Sequence, residues 1–183
     1  ILGLLLLSEA IRPGIFALKQ ACDLPPTAKL GAGQVVFSLA PRLNAAGRID
    51  SPEIALKLLL APDLETARPL AQKLQQLNKE RQKIEEKILK QALVQAQAQQ
   101  DSPGLVLYEP DWHQGVIGIV ASRVAEKFYR PCLVLAQDQE GLKGSGRSIP
   151  EFDLYTGLEF CSEMLTGFGG HRRAAGLSLK YED

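Results

Sequence analysis

The segment FGGHRRAAG, residues 168–176, sets one of only two histidines in the chain on a glycine pair and follows it with two arginines and a run of tiny residues. From Met164 to Lys180 there is no carboxylate. His171 on such a flexible, cationic turn can donate to a phosphate oxygen or stabilise developing negative charge. Taken alone, the segment also suits an exposed histidine with no ligand.

Three further stretches carry comparable chemistry. In APRLNAAGRID, residues 40–50, Asn44 and Arg48 are four apart and share a helix face, while Ala45, Ala46 and Gly47 leave the backbone approachable. No acidic residue occurs from Leu24 to Ile49. Arginines such as Arg42 and Arg48, presented with an amide on an acid-free surface, suit phosphate, because guanidinium forks match its oxygens. Bridging carboxylates across a domain contact is an equally good reading of the spacing. In GLKGSGRSIP, residues 141–150, Ser145 and Arg147 alternate onto one strand face and Ser148 onto the other, with Lys143 nearby. Glycines flanking Ser145 let backbone N–H, hydroxyl and guanidinium reach one phosphate; a plain glycine-rich hairpin is the alternative. No GxxxxGK[ST] string occurs, so this is not a nucleotide P-loop. In EPDWHQGVIGIVASRV, residues 109–124, a strand ends and a helix starts near Gly115. An anion can sit at that helix start, or Gly115 and Gly118 merely allow close packing while His113 bonds to backbone.

The elements that must position these residues fall into three regions. Residues 1–62 read as a small helical cluster, with Pro13 near one helix start and Ser51 as N-cap of DSPEIALKLLL, followed by Pro52 and Glu53. The opening ILGLLLL, which begins at Ile1 and not at Met, reads as a helix cut at its edge; it is too short to span a bilayer and lacks the basic flank of a signal peptide. In residues 63–102, Leu70, Leu74, Leu77, Ile84 and Ile88 recur at threes and fours between charges. They predict one long connecting helix, roughly 48 Å if continuous from Pro69 to Gln100. Residues 103–183 alternate strand-like and helix-like runs: GLVLYEP as a buried strand, GVIGIVASRVAEKFY as a helix, CLVLAQ and LKGSGRSI as strands, FDLYTGLEFCSEML as a helix and AAGLSLKY as a last strand. The expected class is α/β: helical cluster, long helix, then an α/β lobe with a mixed sheet.

Composition narrows the function. The chain has 183 residues, 45% of them hydrophobic, enough to bury a core in one domain or two small ones. Basic and acidic residues number 21 each, so no whole-molecule field draws the chain to nucleic acid or membrane, and any anion site must be local. Cys22, Cys132 and Cys161 form no CxxC pair and read as buried thiols of a reducing, cytoplasmic protein.

Together, PRLNAAGRID, DWHQGVIGIVASR, LKGSGRSIP and FGGHRRAAG resemble the signature segments of the RecJ family of single-strand-specific exonucleases, within the DHH phosphoesterase superfamily. The resemblance runs from about residue 10 to residue 180. It implies a 5′ to 3′ exonuclease of DNA repair and recombination that uses Mg²⁺ or Mn²⁺ on single-stranded DNA with a 5′ end. It implies too that 1–62 is the helical remainder of a DHH lobe and 103–183 a DHH-associated substrate-binding domain. By the same resemblance Arg48, Ser145 and Arg147 hold the 5′-terminal phosphate, Arg42, Asn44 and Ser148 lie near that pocket, and His171 approaches the scissile phosphate. The three acid-poor patches are then expected to converge in one cleft.

The sequence departs from the family at one point. No DHH string occurs, and with two histidines far apart the two-metal cage cannot be assembled from these residues. The chain is therefore expected to bind no metal and to be inactive alone, its partner being the DHH lobe of the same protein. Other readings are a DHH-family phosphodiesterase for short oligonucleotides or cyclic dinucleotides, and a structural nucleic-acid-binding module, with self-association through Ile1–Leu7.

Overall fold

Prolines set where the N-terminal helices begin and where one of them widens. The computed structural model describes residues 2–25 and 27–181; two compact units meet after Gln82 in the chain. The first holds α1 (Leu2–Glu9), α2 (Pro13–Ala21), α3 (Ala32–Gln34), α4 (Ala40–Ile49), α5 (Glu53–Leu59) and the start of α6 (Leu64–Ala98). Pro13 takes the first position of α2, where its missing N–H is not needed. Pro41, in the first turn of α4, cannot donate to the carbonyl four residues back. The chain widens just before it into a five-residue π turn, Val35–Leu39, which carries α3 into α4 without a break. Ser51 does accept the Glu53 N–H at 3.2 Å, although the helix begins one residue later than its motif suggests.

The core of this unit gathers Leu18, Leu30, Leu39, Leu58, Leu74 and Leu77 around small residues of α4 and α6. Ala45 and Ala46 are fully buried, so the AA of the NAAGR string is core and only its flanks face outward. Lys19 is buried and donates to the Ser8 carbonyl at 2.9 Å and the Ala28 carbonyl at 3.0 Å, with its pKa lowered by desolvation. α6 starts five residues before Pro69, capped by Asp63, whose carboxylate accepts the Thr66 N–H at 2.8 Å. Its 35 residues extend about 52 Å at 1.5 Å per residue.

The second unit carries β1 (Leu105–Tyr108), α7 (Gln114–Phe128), β2 (Cys132–Gln137), β3 (Leu142–Arg147), α8 (Leu154–Phe160), β4 (Gly167–His171) and β5 (Ala174–Leu179). The sheet order is β1-β2-β3-β5-β4. β1 and β2 are parallel and joined through α7; the other pairs are antiparallel, so the expected mixed sheet is present. α7 lies against β2 and β3 on one face and buries Val116, Val120 and Val124; Leu105, Leu107, Cys132 and Val134 of the sheet are buried as well. On the other face α8 packs Leu154 and Leu158 against Leu135, Ala175 and Leu177.

Several expectations need correction. The segment GFGGH is a strand, not a flexible turn: glycine is a poor strand former, but β5 offers it an edge and Phe168 packs against the cluster under α8. GLVLYEP is not buried throughout, since Val106 and Tyr108 are exposed and the strand alternates. The helix expected over FDLYTGLEFCSEML stops at Phe160, and a 3-10 turn, Ser162–Met164, follows. Among the cysteines only Cys132 is buried, its thiol pushed up to about 12 by desolvation, whereas Cys22 and Cys161 are half-buried.

One sheet edge is closed by side chains. Gln95 donates to the Tyr108 carbonyl at 2.9 Å and accepts the Tyr108 N–H at 3.0 Å. Gln99 repeats the pattern on Val106, at 2.8 and 3.0 Å. Four residues apart on α6, the two amides stand where a further strand would pair with β1. Among the described residues no helix is long and apolar enough to cross a membrane.

Candidate functional site

The register of β3, β5 and β4 lays nine residues in a grid on the face that α7 shares. Residues directly opposite across paired strands point the same way. Lys143, Ser178 and Gly167 form one row; Ser145, Gly176 and Gly169 the next; Arg147, Ala174 and His171 the third. β3 thus contributes the polar side chains and β5 and β4 an almost bare surface ending at His171. Arg147 and His171 flank Ala174 two strands apart, a spacing of about 10 Å. No acidic residue stands in the grid.

The glycines of this region answer to two different demands. Gly144 and Gly146 point away from the grid, and a Cβ on them would meet Leu135 Cδ2 at 2.5 Å and Leu133 Cδ2 at 2.7 Å. Their absent side chains serve leucine packing under α8, not the approach of a ligand to Ser145. Gly167 and Gly169 lie on the grid face, and a Cβ there would meet nothing within 4 Å; at Gly176 the nearest atom would be Gly144 O at 3.9 Å. The fold leaves that shelf bare although its own packing does not require it. An open concavity of about 460 Å³ lies over it, lined among others by Gln114, Lys143, Ser145, Gly169 and Ser178.

At the centre of the grid Arg147 Nη1 donates to Ser145 Oγ at 3.1 Å and to the Gly146 carbonyl at 2.7 Å. α7 presses on this pair through Gly118, a position at which a Cβ would stand 2.9 Å from Ser145 Oγ and 3.3 Å from Arg147 Nη2. Arg147 and Arg173 also line a second concavity of about 310 Å³ beside Ser122 and Tyr129. Ser148 is buried, its hydroxyl donating to the Phe152 carbonyl at 2.9 Å, and it borders the same second concavity as Arg147. Arg172 donates to the Pro150 carbonyl and Arg173 Nε to the Ser148 carbonyl, each at 3.0 Å, which ties the β4–β5 turn to the loop before α8.

At the far end of the grid, Asp138 accepts from Lys143 at 2.7 Å and from the Gln114 amide at 3.2 Å. The Lys143 ammonium, then the Gln114 amide and the Gln139 N–H, hold the Asp138 carboxyl down to about 2. Nothing in the sequence distinguishes Asp138 as the residue that orients those two donors. His113 caps α7, its Nδ1 accepting the Gly115 N–H at 3.1 Å, so the ring is a backbone-bonded turn residue there. Trp112 is buried and donates to Gln91 at 3.0 Å.

In the other unit α4 carries Arg42, Asn44 and Arg48. Arg42 donates to Gln75 at 2.8 Å and to the Ser38 carbonyl at 2.7 Å, bracing α4 on α6. Asn44 is exposed and Arg48 half-buried. Across the described residues no three His, Cys, Asp or Glu side chains gather as metal ligands.

Residues 101–183 match the DHHA1 domain family. Along most of its length the chain is similar to the single-stranded-DNA-specific exonuclease RecJ of Salmonella typhimurium, 43% identical over 179 residues, covering 92% of this chain and 31% of that protein. It is 47% identical over 152 residues to the RecJ exonuclease of Bacillus subtilis, covering 81% of this chain and 19% of that one. Among solved structures it is similar to Thermus thermophilus RecJ in complex with Mg²⁺, with a TM-score of 0.88 and 36% identity over 98% of this chain and 28% of that one. An exonuclease RecJ bound to manganese gives a TM-score of 0.83 and 35% identity, covering 98% and 44%. The chain therefore spans under a third of the length of the first of these curated relatives.

Proposed function

We propose that the chain, whose residues 101–183 match the DHHA1 domain family and which is similar to part of RecJ, is the strand-gripping part of a cytoplasmic 5′ to 3′ exonuclease acting on single-stranded DNA. Arg147 and Ser145 receive the 5′-terminal phosphate, with Ser148 beside them; in the other unit Arg48, Arg42 and Asn44 are assigned to phosphate binding as well. His171, at the end of the bare shelf, donates to the phosphate being cut. The strand backbone lies over Gly167, Gly169 and Gly176, where a side chain would stand in its path. The observation that carries this reading is the grid itself: three basic side chains, one hydroxyl pair and three glycines on one face, with no carboxylate among them.

The metals that RecJ holds in solved structures, Mg²⁺ and manganese, are assigned to the DHH lobe of the longer relatives, since the described residues here offer no ligand cluster. In that lobe they would supply the activated water and neutralise the reacting phosphate. This chain's residues bind and orient the strand, and alone they leave it uncut.

Fluorescence anisotropy with a 5′-phosphorylated single strand tests the reading. Arg147→Ala is expected to weaken binding about tenfold and to lower the salt slope by about one. Unchanged affinity, or cutting of the strand by the purified chain in Mn²⁺, would overturn the assignment.

A further inference from the structure

We propose that Gly118 is a positioning residue: it sets the Ser145 hydroxyl and the Arg147 guanidinium as one pair and thereby determines the preference for a phosphorylated strand end. The inference rests on the phosphate reading above. Gly118 occupies the second turn of α7, between the buried residues Ile117 and Val120, where glycine is less favourable than alanine. Something must offset that cost.

Close packing of backbone is the usual reason for such a glycine, and other positions in this chain show it. A Cβ on Gly14 would run into the Leu58 carbonyl, and one on Gly141 into the Leu179 carbonyl. At Gly118 the three nearest atoms are different in kind: Ser145 Oγ at 2.9 Å, Arg147 Nη2 at 3.3 Å and Ser145 Cβ at 3.6 Å. Two of the three are polar ends of movable side chains outside the leucine core. A methyl group can be accommodated if they move away, and the fold then survives. What does not survive is the 3.1 Å bond from Arg147 Nη1 to Ser145 Oγ, because the hydroxyl is displaced from the face it shares with the guanidinium. The missing carbon at 118 is therefore a requirement of the pair and not of the helix–sheet contact.

The test measures binding of the chain to one single-stranded oligonucleotide carrying either a 5′-phosphate or a 5′-hydroxyl, together with thermal unfolding. In Gly118→Ala the Tm is expected to stay level or rise, affinity for the 5′-hydroxyl strand to stay within about twofold, and the preference for the 5′-phosphate to fall about tenfold, the scale of one charge-assisted hydrogen bond. In a Ser145→Ala background the same substitution is expected to have a much smaller effect, since the displaced atom is gone. A lower Tm in Gly118→Ala would make Gly118 a packing residue and overturn the proposal. So would a preference kept intact at unchanged Tm, or a loss of equal size in both backgrounds. A wild-type chain with no preference for the phosphorylated end removes the phosphate reading itself, and this inference with it.

Discussion

The two faces of the five-stranded sheet use the same residue type for opposite ends. Under α8, Gly144 and Gly146 are glycines because leucine methyl groups fill the space a Cβ would take. On the face shared with α7, Gly167, Gly169 and Gly176 are glycines although no neighbour comes within 3.9 Å of where a Cβ would sit. The first set is explained by the chain's own packing, and the second is not. Within LKGSGRSIP and FGGHRRAAG, then, glycine content by itself carries no functional message; the message lies in which face the missing side chain opens to. The sheet's two edges differ in the same way, since Gln95 and Gln99 close β1 while β4 ends the sheet as an exposed strand.

Substitution at the packed face should give the largest effect. Gly144→Ala forces a carbon to within 2.5 Å of Leu135 Cδ2 and 2.7 Å of Leu177 Cδ2, and a loss of about 1–3 kcal/mol in chemical denaturation is expected. A stability change near zero would erase the contrast between the faces. The closed edge ranks next. Replacing Gln95 and Gln99 together by alanine removes four hydrogen bonds to the β1 backbone and one from Gln95 to Glu109, and a loss of about 1 kcal/mol is expected after water takes their place. Faster amide exchange at Val106 and Tyr108 is the specific readout, and unchanged exchange would show that the edge does not depend on those amides. The smallest change in stability belongs to the open shelf. Gly169→Ala should alter stability by no more than about 0.5 kcal/mol while weakening single-strand binding; destabilisation well beyond that would mean the shelf is also a packing feature.

Much of the framework was legible along the chain. Pro13 starts α2, Ser51 accepts the Glu53 N–H, and the threes-and-fours spacing of Leu70, Leu74, Leu77, Ile84 and Ile88 marks the long helix. The parity of Ser145 and Arg147 along β3 placed them on one face, whereas Ser148 lies just past the strand end and borders a concavity with Arg147. GFGGH was not legible as a strand, because its glycines oppose that conformation and only the edge of β5 recruits it. Asp138, which gathers Lys143 and Gln114, and Gly118, which faces Ser145, left no local signature beyond an isolated glycine inside a helical pattern.

The sequence by itself determined helix starts, strand parity, the carboxylate-free character of the basic segments and the family they resemble. All of these depend on neighbours a few residues apart, whose spacing is written in the chain. Only the tertiary structure decided which glycines are packed and which are bare, and that His171 ends a strand two places across from Arg147. Those facts come from strand register and from the seating of α7 and α8, which join residues whose separation along the chain carries no information about their contact.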